Sequence, residues 1–163
     1  MGVLYDYFRS TDDGAAIALM DDLGGGPVAR NTAASGDGVH GTGVVAVDAV
    51  GFKWIDPPVA LGQLVSFVRD APWRAGLVQS RLLWSPEEEG PWLFGLDDAT
   101  RDTLASISGG QLPELSARWG RIDEFAHSGP LPEGELVPVI EAIAGLARRA
   151  RDAGDHLYCW CCL

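Results

Sequence analysis

"LVPVIEAIAGLARRARDAGDHLYCWCCL", residues 136–163, decides the fold, because it joins a long amphipathic segment to a short apolar one. Apolar side chains recur at helical spacing in the first part, which predicts a helix with one buried face. Gly154 suits the position just after a helix, where a left-handed backbone is common. We therefore expect the chain to turn there into a final strand. The predicted buried positions of the helix are Leu136, Val139, Ile140, Ile143, Leu146, Ala147 and Ala150.

The final eight residues, "HLYCWCCL", hold all three cysteines of the chain. In a strand, successive side chains point to opposite faces. Leu157, Cys159 and Cys161 would share one face, and the intervening side chains would share the other. If the strand lies inside a sheet with helices on both faces, each cysteine acts as a small buried hydrophobe. This is the preferred interpretation.

The alternative is a soft-metal or thiol-redox site. Thiolates favour Cu(I) and Zn²⁺, and His156 could add a nitrogen ligand to Cys159, Cys161 and Cys162. A structural zinc site usually takes its four ligands from two separated pairs, and the chain has no second pair. A disulfide between the adjacent Cys161 and Cys162 would be strained. The preferred interpretation therefore has no cofactor, and the metal remains the alternative.

Upstream, apolar runs alternate with capped amphipathic segments. This mixture predicts an α/β or α+β fold, with helices packed on a mixed sheet of about four or five strands and the last strand buried in it. The chain length suits a single globular domain over residues 1–163. The predicted strands are 1–9, 44–50, 77–84 and 92–96, and the predicted helices are 10–23, 56–70, 97–107 and 109–125.

Three stretches carry a resemblance to a known family. "MGVLYDYFR" (1–9), "LDDATRDTLASISGGQLPELSARW" (96–119) and "LVPVIEAIAGLARRARDAGDHLYCW" (136–160) resemble the DUF1877 or YfbM-like family of small bacterial proteins of unknown function. The resemblance implies the same α/β architecture with a terminal strand. It implies no catalytic residues. The chain departs from the family pattern over 24–50 and at its cysteine-rich end.

The net charge of the chain limits the classes of macromolecule that it is expected to bind. The chain has 12 Lys and Arg residues against 23 Asp and Glu residues, a formal charge of −11. Such a surface repels the phosphate backbone of a nucleic acid. It can steer a basic protein toward it, or the negative charge can serve solubility alone. No stretch is long and apolar enough to span a membrane, and the first residues do not form a secretory signal. Three cysteines that cannot all pair fit a reducing cytoplasm.

Residues 28–43 are rich in glycine and predict a flexible surface loop. They include a G-x-G-x-x-G pattern at Gly36, Gly38 and Gly41. The pattern lacks the preceding strand, the following helix and the lysine that a phosphate-binding loop uses. His40 has no visible partner in this stretch.

Catalytic residues do not assemble in the sequence. His127 and Ser128 are adjacent, which seldom lets a base face a nucleophile. The paired aspartates at 12–13, 21–22 and 97–98 are interpreted as helix caps or solvated loop residues. The preferred function is therefore non-catalytic binding of a basic protein partner, an accessory role that is immunity-like by analogy. Among six tryptophans, Trp73 and Trp92 stand at element edges and are the candidate partner-binding residues.

Overall fold

The computed structural model describes residues 2–21, 26–28, 47–127, 129 and 131–163. In these residues five strands form one antiparallel sheet with six α-helices packed on it. A π-helical turn, Pro57–Leu61, leads into the second helix, and a 3-10 turn, Gly109–Gln111, leads into the fourth. The strands are β1 (Leu4–Ser10), β2 (Ala49–Lys53), β3 (Ser80–Trp84), β4 (Trp92–Leu96) and β5 (His156–Cys162). The helices are α1 (Asp13–Asp21), α2 (Gly62–Val68), α3 (Asp98–Ala105), α4 (Leu112–Trp119), α5 (Asp123–Ala126) and α6 (Val137–Ala153).

The terminal strand occupies the centre of the sheet. The strand order is β2-β1-β5-β4-β3, and β5 pairs with β1 from Leu4↔Cys162 to Ser10↔His156. The predicted fold class, the strand number and the position of the last strand are thus confirmed. The sheet differs from the mixed one expected, because all four pairings are antiparallel.

Each face of the sheet carries a separate core. Tyr7 faces the larger core, which α2, α3, α4 and α6 build, and Phe8 faces a smaller core beneath α1. Two buried hydrogen bonds fix the larger core: the Tyr7 hydroxyl donates to the Ile55 carbonyl at 2.6 Å, and Trp119 Nε1 donates to the Ala60 carbonyl at 2.8 Å. Both faces of β5 are therefore covered by packed side chains, as its apolar sequence requires.

Helix α6 ends as the sequence predicts. Gly154 adopts a left-handed conformation with φ 71°, and the following Asp155 N–H donates to the Ala150 carbonyl at 2.8 Å. The predicted helical face is buried except for Val139, which is half-buried. After this helix end the chain enters β5, which runs antiparallel beside β1.

An ion network joins α6 to the sheet. Asp48 accepts from Arg149 Nε at 2.8 Å and Nη2 at 2.9 Å, and from Arg9 Nε at 2.7 Å. Arg9 Nη1 also lies 2.7 Å from Asp155 Oδ2. These hydrogen bonds lower the pKa of Asp48, with the Arg149 bond contributing most, so the carboxylate stays ionised.

Two predicted segments differ from the structure, and a third lies almost wholly outside the described residues. The predicted helix 109–125 divides at Gly120 into α4 and α5, because glycine ends the first helix and a turn follows. Of the predicted strand 44–50, residues 44–46 lie outside the described residues, and the observed strand β2 begins only at Ala49, after Asp48, which the ion network holds. Of the predicted loop 28–43 only Val28 is described, and the glycine pattern and His40 lie outside the described residues. No helix in the described ranges is long and apolar enough to cross a bilayer.

Candidate functional site

The thiols of β5 lie on opposite faces of the sheet, in the predicted alternation. Cys159 and Cys161 stand directly opposite Tyr7 and Tyr5 of β1. Burial raises the pKa of both thiols, which favours the protonated, unreactive form. Cys162 lies on the other face and is partly exposed.

His156 is not brought to the thiols. It opens β5 at the end opposite Cys161 and Cys162, and its Nδ1 lies 2.7 Å from Asp98 Oδ1. The structure therefore separates His156 from the three thiols and places Cys162 on the face opposite Cys159 and Cys161. Within the described ranges, no three His, Cys, Asp or Glu residues are arranged to hold a metal ion.

The tryptophans divide between core and surface. Trp119 and Trp160 are buried, whereas 42% of Trp73 and 53% of Trp54 is exposed. Trp73 Nε1 donates to the Pro58 carbonyl at 3.3 Å, so its ring is held at the surface. Trp92 is half-buried at the start of β4. The exposure predicted for Trp73 is present, and Trp54 is an exposed tryptophan that the sequence did not single out.

The site that the structure does assemble is a cleft of about 540 Å³ at one end of the sheet, here called the acidic cleft. It forms where β1 and β4 end, where β3 and β5 begin, and where the N-termini of α1 and α3 meet. Its lining comprises Asp12, Asp13, Gly14, Arg81, Leu96, Asp97, Asp98, His156 and Tyr158.

Two of the cleft aspartates cap helices. Asp12 Oδ1 accepts from the Ala15 N–H at 2.8 Å at the start of α1. Asp97 Oδ1 accepts from the Thr100 N–H at 2.8 Å, and its Oδ2 accepts from the Gln79 N–H at 2.8 Å. Both follow the known preference for Asp at helix N-caps. The cap at Asp97 was predicted, whereas at the first helix the sequence favoured Ser10 or Thr11 as the cap and the structure uses Asp12.

The two neighbouring aspartates use their side chains differently. Asp13 accepts from the Tyr158 hydroxyl at 2.9 Å and pairs with Arg81 at 3.2 Å. The hydrogen bond from Arg81 is the largest cause that lowers the pKa of Asp13; burial opposes it, and the hydrogen bond from Tyr158 adds to the lowering. Asp98 Oδ1 lies 2.7 Å from His156 and 3.2 Å from Arg101. Asp12 Oδ2 and Asp98 Oδ2 accept no hydrogen bond from the described residues.

The charged side chains that line this cleft favour cations over anions. Four carboxylates line it against one guanidinium, a formal balance of −3 with His156 neutral. Concave walls of low dielectric focus such a field and raise the local concentration of positively charged groups. The two carboxylate oxygens without described partners provide acceptors for an incoming N–H donor.

Sequence reasoning identified the aspartate pairs but not the cleft. Capping explains Asp12 and Asp97 and leaves Asp13 and Asp98 beside them on a surface that only the sheet order creates, whereas Asp21 ends α1 and Asp22 lies outside the described residues. The signal that could have found the cleft is the repetition of "DD" at two predicted helix starts that each follow a strand, "RSTDD" and "GLDD".

Comparison of the chain with protein-family models, with curated proteins and with solved structures found no match. The resemblance to the DUF1877 or YfbM-like family therefore stays a prediction.

Proposed function

We propose that this protein acts by binding rather than by catalysis, and that its acidic cleft receives a cationic side chain of a basic protein partner. The observation that carries the proposal is the convergence of four aspartates on one concave surface with a single arginine. The overall formal charge of −11 extends the same field beyond the cleft and favours fast association with a basic protein.

An arginine or lysine side chain fits this cleft chemically. Charged N–H donors form short, strong hydrogen bonds with carboxylates. Asp12 Oδ2 and Asp98 Oδ2 offer such acceptors, while the caps and the Asp13–Arg81 pair hold the walls in place. The proposal also places the protein in the cytoplasm, supported by its three free thiols.

The test uses charge-neutral variants that keep the hydrogen bonds. In Asp12→Asn/Asp98→Asn, asparagine still caps α1 and still accepts at position 98, and two negative charges are removed. The matched control is Glu88→Gln/Glu89→Gln, which removes two charges from the exposed turn at the other end of the β3–β4 hairpin. A fluorescent arginine-rich peptide supplies a defined basic ligand, and pull-downs at low and high salt test for a natural one.

We expect the cleft variant to bind the peptide about two- to thirtyfold more weakly, the sum of two partly exposed ion pairs. The control variant should lose much less affinity for the peptide. Natural partners should dissociate in high salt. An equal loss of peptide affinity in both variants would show that only the overall negative charge of the protein attracts the peptide. Absence of any salt-sensitive partner would show that the charge serves solubility alone.

A further inference from the structure

One edge of the sheet is left open by β3. It is the last strand in the order β2-β1-β5-β4-β3, and within the described ranges it pairs with β4 alone. The Asp97 N–H donates to the Gln79 carbonyl at 3.1 Å. Because alternate residues of an antiparallel ladder bond to the same neighbour, the backbone groups of Arg81 also point to β4, whereas those of Ser80 and Leu82 point outward. Such an edge can take up an extended segment of another chain.

An apolar surface adjoins this edge. Leu82 stands directly opposite Phe94 of β4, and Trp92 lies on the same face as Phe94 because side chains alternate along a strand. Leu82 is 59% exposed, and both aromatic side chains are half-buried. These three side chains are here called the edge surface. A strand added beside β3 would bring its own side chains against it.

The acidic cleft opens on the other face of β3. Arg81 lines the cleft, and its side chain points away from the face of its neighbour Leu82. An added strand would therefore reach both sites through alternate residues. Residues opposite Ser80 and Leu82 would face the edge surface, and a residue opposite Gln79 would have its side chain on the cleft side, near the start of β3. Apolar and basic residues thus suit successive positions of the added strand.

The charges around β3 favour a basic segment over a second copy of this chain. Antiparallel pairing of two β3 strands would bring the turn 87–89 of each copy, three exposed glutamates, toward the acidic cleft of the other. Each copy also carries a formal charge of −11. Like charges so placed oppose association, whereas a basic segment meets the opposite charge. The other edge strand, β2, ends at Lys53, a cation that does not attract a basic segment.

We propose that an extended segment of the basic partner adds to β3 as an antiparallel strand, with two apolar side chains over the edge surface and a following arginine or lysine in the acidic cleft. This inference rests on the proposed function, because the cleft receives the basic side chain. The backbone groups of Ser80 and Leu82 supply hydrogen bonds for any sequence, and the two faces select the side chains. The partner is thus a basic protein with a segment that can extend and that alternates apolar and polar residues before a basic one.

The first experiment uses three forms of one fluorescent peptide, in which threonine and valine alternate twice before two arginines. In an antiparallel strand, the valines opposite Ser80 and Leu82 are the residues whose N–H groups bond to β3. N-methylation of both valines removes these donors and keeps the charge and the side chains. N-methylation of both threonines removes two donors that point away from β3 and is the matched control. We expect the valine-methylated form to bind about five- to hundredfold more weakly than the control, the effect of two backbone hydrogen bonds.

Two further measurements locate the peptide on the protein. The unmethylated peptide should slow hydrogen exchange of the Ser80 and Leu82 amides, while exchange of the Arg81 amide, which already points to β4, should not change. Leu82→Thr keeps the backbone donor and removes most of the apolar contact, so it should weaken binding about three- to tenfold. Leu4→Thr is the control and should leave the affinity unchanged, because Leu4 is 43% exposed on β1, on the other face of the sheet. Thermal unfolding curves check that both variants fold.

These peptides separate the inference from the proposed function. If Asp12→Asn/Asp98→Asn weakens all three forms equally and the two methylated forms bind alike, the cleft acts without strand addition and the inference is overturned. A difference between the methylated forms, with no loss of affinity in the cleft variant, supports strand addition and contradicts the proposed function. Absence of binding by the unmethylated peptide would overturn both. Slow exchange of the Ser80 and Leu82 amides in the free protein, together with a dimer mass, would overturn the inference because a second copy then occupies β3.

Discussion

The thiols of β5 provide the sharpest test of the fold and of the alternative metal or redox function. Exposing Cys159 requires breaking the pairing of β5 with β1 and β4, because its side chain is 0% exposed in the centre of the sheet. The relevant free energy is then that of global unfolding, about 5–15 kcal/mol for a domain. Since 1.4 kcal/mol is a factor of ten, the lower value already slows reaction by more than three orders of magnitude.

The assay is reaction of the native protein with a chromogenic disulfide reagent, with and without a chelator. We expect one thiol, Cys162, to react quickly, and Cys159 and Cys161 to react at least about a thousandfold more slowly. All three should react on denaturation. The raised pKa of the two buried thiols slows them further, because the thiolate is the reacting species. Cys162→Ser should remove the fast phase, and the control Cys161→Ser should keep it.

Two results would refute this reasoning. Fast reaction of two or three native thiols would show that β5 is not held in the sheet as described. Acceleration by the chelator would show that a metal covers the thiols, and the soft-metal alternative with His156 would return.

Three further predictions concern stability. Trp119→Phe should lower the free energy of unfolding by about 2–3 kcal/mol in urea titrations, because the buried Ala60 carbonyl loses its donor and a void remains. Asp48→Asn should cost about 1 kcal/mol at neutral pH. Arg149 and Arg9 lower the pKa of Asp48 in the folded state. The wild type is therefore more stable than Asp48→Asn above about pH 4, the ordinary pKa of Asp, and this difference in stability disappears as the pH falls through the lower pKa of the folded state. Deleting residues 158–163 should abolish the folded circular dichroism signal, because β1 and β4 then lose their common partner.

Each of these has its own check. Trp73→Phe is the matched control for the core tryptophan and should change stability by less than about 0.5 kcal/mol, since Trp73 is largely a surface residue. An Asp48→Asn difference that stays constant between neutral and acid pH would contradict the assigned ion network. A truncated chain that melts cooperatively would show that β5 is dispensable.

Local patterns in the sequence were sufficient for much of the fold. The helical spacing over 136–150, the glycine at 154 and the alternation in "LYCWCC" predicted α6, its end and the two faces of β5. These features depend on neighbours along the chain, so a single sequence contains them.

The strand order and the acidic cleft depend on distant residues. Asp13 and Asp98 are 85 positions apart in the numbering and meet at one cleft only because β5 lies between β1 and β4. No local pattern encodes such a meeting, which is why the aspartate pairs were interpreted as helix caps or solvated loop residues.

The central position of β5 also constrains how the chain folds during synthesis. About sixty residues separate the end of β4 from β5, and the β1–β5 pairing spans almost the whole sequence. At about 5–20 residues per second, the ribosome takes roughly three to twelve seconds to cover that distance. Throughout this interval the inner edges of β1 and β4 have no native partner, and they expose backbone donors and acceptors to other nascent chains. We expect slow folding dominated by non-local contacts, with this interval as the period of greatest risk of aggregation.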